Sequence, residues 1–146
     1  MKNLNPQEWE KQVYAFISQQ ARWLVQALFK AMDDELMRSR EKGLKVVGFR
    51  TRWILTRFGQ LQIKRRLYRD REGRGRYLLD EVMGLTKRSP ISCEVKDLCV
   101  LLASYMPFGK CETVLDMILP VGVSRTTIHR QTGSICLLYT SPSPRD

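Results

Sequence analysis

Along the chain the spacing of apolar positions changes from a helical period to an alternating one and back. Trp9, Val13, Phe16, Ile17, Leu24, Ala27, Leu28 and Ala31 recur at three-and-four spacing, with Trp23, Phe29 and Met32 widening the stripe. Ahead of them, Asn5, Pro6 and Glu8 stand where an N-cap, a first helical residue and the closing member of a capping box belong, and Leu4 and Trp9 are spaced as a hydrophobic staple. The pattern predicts a helix that either runs to about Arg40 or breaks near Asp33-Asp34 and covers a sheet. A helix above roughly 25 residues invites a coiled-coil or homodimer contact.

From Phe49 to Asp70 the period becomes two. Phe49, Trp53 and Leu55 alternate with Arg50 and Arg52, and after Gly59, Leu61, Ile63 and Leu67 alternate with Gln62, Lys64 and Arg66. This predicts a β-hairpin. A three-residue Arg57-Phe58-Gly59 turn would pair Leu55 with Leu61, Trp53 with Ile63 and Phe49 with Leu67, with Gly59 in the left-handed position. One face would then be apolar, and the other a comb of Arg50, Arg52, Lys64 and Arg66. Arg65 falls on the apolar side and must snorkel past the edge or find a partner.

Asp70-Arg71-Glu72-Gly73 signals a turn into a short third strand near Arg76 to Leu79, and Asp80 to Pro90 reads as a loop. A helix follows from Ser92 to about Met106-Pro107, burying Val95, Leu98, Cys99 and Leu102. Lys110 to Leu119 predicts another, with Val114, Leu115 and Ile118 inward. Pro120-Val121-Gly122-Val123 breaks it and Ser124 caps the next, with Val123 and Ile128 forming a staple. Helix, turn and capped helix make a helix-turn-helix candidate from about Lys110 to Gly133, whose outer face would carry Arg125, Thr126, His129 and Arg130. The plain alternative is an ordinary solvated helix face. The fold class is α+β, in four stretches: a helical region 1–40, a basic hairpin 41–80, a helical region 81–135 and a tail 136–146.

Charge sharpens this picture. The net charge is +10, and 14 Lys/Arg against three acids lie between Arg38 and Arg76, leaving the rest of the chain near neutral. Charge so gathered points to a polyanionic partner, double-stranded DNA above all. Few aromatics on the expected basic face, Tyr68 alone, argue against stacking of unpaired bases and so against an RNA-binding module. The four cysteines lack metal-ligand spacing and His129 is the only histidine, so reduced thiols in a cytoplasmic protein are expected rather than a zinc site. Gln19, Gln20, Arg22, Gln26 and Lys30 interrupt the apolar run from Val13 to Met32, which excludes a spanning helix there.

The run Phe58 to Asp70 with Glu72-Gly73, then Tyr77-Leu78-Leu79-Asp80-Glu81, Gly84-Leu85 and Val123 to His129, resembles the N-terminal part of the ISLre-two family of bacterial insertion-sequence transposases. Met106-Pro107-Phe108-Gly109 departs from that pattern. The string Cys136 to Asp146 resembles a translated sequencing adapter, so the natural sequence is expected to stop at about Ile135. The resemblance implies a fragment that holds the terminal repeats of a mobile element, while three carboxylates of a catalytic domain further along would hold two divalent metals such as Mg. Here Asp80, Glu81, Asp97, Glu112 and Asp116 are scattered and read as solvated, so no catalytic and no metal residue is assigned. The competing reading is a complete DNA-binding regulator with a hairpin arm.

Overall fold

The computed structural model describes residues 5–87 and 89–139, the side chains of 134–139 excepted. Its order is α1 (Trp9–Ser39), β1 (Lys45–Thr56), β2 (Gly59–Arg69), β3 (Gly75–Arg76), α2 (Leu78–Val82), α3 (Cys93–Tyr105), α4 (Phe108–Ile118) and α5 (Arg125–Tyr139), an α+β arrangement. Two compact units divide it, Met1–Ser92 and Cys93–Asp146. The α1 helix and the sheet therefore share the first unit.

The first helix begins at Trp9 with Glu8 as its N-cap and no side-chain cap bond, three residues later than expected; Asn5 builds the turn ahead of it, its Oδ1 accepting the Gln7 amide at 3.2 Å and its carbonyl the Glu8 amide at 2.9 Å. The staple partner Leu4 lies outside the described residues. The helix passes Asp33-Asp34 without a break. Val25, Phe29, Met32 and Leu36 give it a stripe that packs on Ile54, Leu61, Ile63 and Leu79, with Met83 and Leu85 alongside. Burial of each such Leu or Ile is worth about 1.5–3 kcal/mol.

The antiparallel sheet has the order β1-β2-β3. Its register differs by one residue from the expected one. Thr56 pairs with Gly59, so Leu55 faces Gln60, Ile54 faces Leu61, Trp53 faces Gln62 and Arg52 faces Ile63. Gly59 takes the positive φ (109°) that the sequence demands of it, but as the first residue of β2 rather than inside the turn. A slip of one residue exchanges the faces of a strand. Ile54 is accordingly buried, while Phe49 and Trp53 are 46% and 53% exposed.

Two polar side chains of α1 complete the edge of β2. Gln26 Nε2 donates to the Gln62 carbonyl at 3.1 Å, and the Arg66 amide donates to Asp33 Oδ1 at 3.3 Å. Unpaired strand edges are templates for wrong pairing, and side chains from a helix remove that hazard here. The third strand is only Gly75–Arg76, because the chain becomes helical at Leu78 and drops Leu79 into the core. At the other side of the sheet Leu55 is gripped by the chain from the loop, its amide donating to the Pro90 carbonyl at 2.8 Å and its carbonyl accepting the Ser92 amide at 2.9 Å.

In the second unit α3, α4 and α5 each contact the other two. Val95, Cys99, Cys111, Leu115, Leu119, Val123 and Ile128 form its interior. α4 begins two residues earlier than expected, since the Pro107 carbonyl accepts the amides of Lys110 (2.9 Å) and Cys111 (3.1 Å) and starts the first turn. α5 extends through the first four residues of the string that starts at Cys136, and residues 140–146 lie outside the described ones.

Candidate nucleic-acid interface

The four cations expected to form one comb are split. Arg50 and Arg52 lie on the sheet face of Leu61, Ile63 and Arg65, whereas Lys64 and Arg66 lie on the face of Phe49, Thr51 and Trp53. Two of the four are also held by acids. Arg52 Nη1 meets Asp80 Oδ2 at 3.0 Å, and its Nη2 donates to the Ser89 carbonyl at 2.6 Å. Arg66 binds Asp33 and Asp34, each at 2.6 Å. A cation desolvated and paired in this way has little left for a phosphate, so Arg52 and Arg66 are structural residues. Arg50 and Lys64 remain exposed.

Arg65, which needed a partner on the apolar side, has found one. It joins Arg52 in the ion pair with Asp80, and its guanidinium lies 3.8 Å from the centroid of the Tyr77 ring. Burial pulls both Arg52 and Arg65 below the ordinary arginine range. At Arg66 burial pulls the same way, but the hydrogen bond it donates to Asp34 and the charges of Asp33 and Asp34 outweigh it and raise the group. Asp34 is lowered in return, chiefly by its hydrogen bond from Arg66.

Burial corrects the reading of Asp80 as solvated, whereas Glu81, Asp97 and Asp116 are exposed as expected. Asp80 is only 7% exposed and serves two guanidiniums, Glu81 binds Arg76 at 2.8 Å, and Glu112 lies 3.7 Å from Arg125. Carboxylates already neutralised by arginine do not fit a divalent cation. Among the described residues, no group of three or more His, Cys, Asp or Glu is placed to hold one.

The second unit gathers the other candidates. Ser124 Oγ accepts the Thr127 amide at 3.3 Å and bonds the Thr127 hydroxyl at 2.9 Å, while its carbonyl accepts the Ile128 amide at 3.0 Å. Val123 and Ile128 are both buried, as a staple requires. That fixes the rotation of α5: Ile128 and Gln131 turn inward, and Arg125, Thr126, His129 and Arg130 are all exposed. His129 stacks edge-on against Phe108 with centroids 5.3 Å apart, so its ring is oriented by α4. Residues 119–124 join α4 to α5, a longer connection than the three or four residues of the usual helix-turn-helix.

The sequence pattern missed an aromatic surface. Tyr68, expected on an exposed face, is fully buried, while Phe49, Trp53 and Phe58 are exposed. Lys64 Nζ sits 4.8 Å from the Phe49 ring centroid and the Arg66 guanidinium 5.1 Å from it. The corrected register alone would have revealed this row.

These features define a basic α+β protein with a hairpin packed on a long helix and a separate three-helix unit. The chain belongs to the uncharacterised protein family UPF0236, whose model matches residues 1–142. That match takes in the first part of the string from Cys136. Among curated proteins and solved structures nothing matches it. No helix among the described residues is long and apolar enough to cross a membrane.

Proposed function

We propose that this chain is the DNA-holding part of an insertion-sequence transposase, the strand chemistry belonging to a separate catalytic domain. The observation that carries the reading is the segregation on α5. Behind the Ser124 cap, Ile128 and Gln131 are buried, and Arg125, Thr126, His129 and Arg130 form one exposed polar and cationic patch at the N-terminal end of the helix. That end of a second helix is the part that meets base edges in helix-turn-helix proteins. Arginine there can bond guanine O6 and N7 together, and threonine can bond either base or contact a thymine methyl. An exposed cation of the hairpin such as Arg50, on the face away from Lys64, supplies a sequence-independent phosphate contact, and the net charge of +10 favours it.

The test is selection of duplexes from a random library by the full chain, followed by affinity measurements on the selected site. Arg125→Ala lowers affinity for that site by roughly 5- to 150-fold and relaxes preference at one or two positions, with a smaller loss on unrelated duplexes. Failure to enrich any sequence, or an Arg125→Ala protein with unchanged preference, overturns the assignment to α5.

A further inference from the structure

We infer that the outward face of the hairpin binds an unpaired DNA strand by stacking a base on Trp53, beside Lys64 and Gln62. The inference deepens the proposed DNA-holding role and rests on it for the choice of ligand. Phe49, Thr51 and Trp53 of β1 stand directly across from Arg66, Lys64 and Gln62 of β2. An aromatic row is thus laid beside a row of cation and amide side chains, on one face of a two-stranded ribbon. Both aromatic rings are about half exposed.

On this face Lys64 is the strand cation open to a phosphate, because Arg66 is held by Asp33 and Asp34. Arg66, clamped between Asp33 and Asp34, backs the Phe49 ring and fixes it at little further entropic cost. Lys64 sits over the same ring with its ammonium at the surface, where it can meet a phosphate. Gln62 is held through its carbonyl by Gln26, which leaves its exposed side-chain amide for base edges. Duplex DNA hides its base faces, so a DNA base reaches the exposed indole only from a melted or single-stranded segment. Stacking of this kind tolerates any sequence and depends on salt through the adjoining Lys64.

The experiment titrates the full chain against a fluorescein-labelled thymidine homopolymer of about a dozen nucleotides, the matching uridine homopolymer and a random-sequence duplex. Trp53→Ala weakens binding to the thymidine strand by at least about fivefold, Trp53→Phe retains most of it, and neither changes duplex affinity. Lys64→Ala lowers the slope of log affinity against log salt for the single strand by about 0.7. Thymidine-strand binding unchanged in Trp53→Ala overturns the proposal, as does tighter binding of the uridine strand. So does a change in sedimentation on Trp53→Ala, which would make the face a contact between copies. Because duplex selection by α5 is measured separately, loss of that selectivity with stacking intact is distinguishable from the reverse.

Discussion

The guanidinium of Arg52 lies 3.0 Å from the carboxylate of Asp80, and the two side chains are only 10% and 9% exposed. Two strand arginines, Arg52 and Arg65, share this one acid. Its backbone carrier, α2, is a five-residue helix whose main burial is Leu79 beside it. The pairing therefore fixes where the chain after β3 must lie.

Removing Asp80 leaves two desolvated guanidiniums without their acid, whereas removing Arg52 leaves Asp80 still paired with Arg65. Asp80→Ala destabilises the fold by about 3–5 kcal/mol and Arg52→Ala by less. Urea unfolding followed by circular dichroism measures this. An Arg52→Ala protein of wild-type stability that has lost duplex affinity would return Arg52 to the phosphate-binding set.

Acid weakens the fold. Hydrogen bonds from Arg66 hold Asp34 below the ordinary carboxylate range, the Arg74 backbone amide does the same for Asp70, and Arg76 does so for Glu81. A carboxyl group depressed in the folded state contributes stability above its unfolded value and loses it as pH falls through the folded one. These three groups add no slope from about pH 8 to pH 5, and Tm drops once pH passes below about 4. A Tm unchanged down to pH 3 would contradict the ion pairs.

The cysteines differ in reach. Cys93 is exposed, whereas Cys99 and Cys111 are fully buried, and burial pushes the Cys99 thiol up. The thiolate is the reactive form, so native iodoacetamide labelling followed by peptide mass spectrometry finds Cys93 modified and Cys99 and Cys111 protected until denaturant is added. Equal labelling of Cys99 and Cys93 under native conditions would mean that the second unit is loosely packed.

Local chemistry was legible wherever a residue acts on its near neighbours. The Ser124 cap and the Val123–Ile128 staple are where their spacing put them, and the α+β order follows from the two periodicities. The register was not legible, for a definite reason. β1 carries apolar residues on both faces, Ile54 on one and Phe49 and Trp53 on the other, so hydrophobicity alone could not choose between them. The choice rests on long-range pairing that no local pattern encodes, Arg52 and Arg65 with Asp80 and Arg66 with Asp33. Arg65 did give a signal, since a charge on an apolar face announces a missing partner, but not which acid answers it. Membership of the DNA-facing set suffered most, because exposure of a strand cation depends entirely on register.

The bond from Gln26 to β2 and the bond from β2 to Asp33 set a metre for the first helix. Seven positions separate Gln26 from Asp33, two turns and about 10 Å of helix, against four positions and about 13 Å of strand between Gln62 and Arg66. One residue inserted between 26 and 33 would swing Gln26 through about 100° and break the beat at one end or the other. Related chains can therefore change letters freely along the outer side of this helix, while its count between those two positions stays fixed.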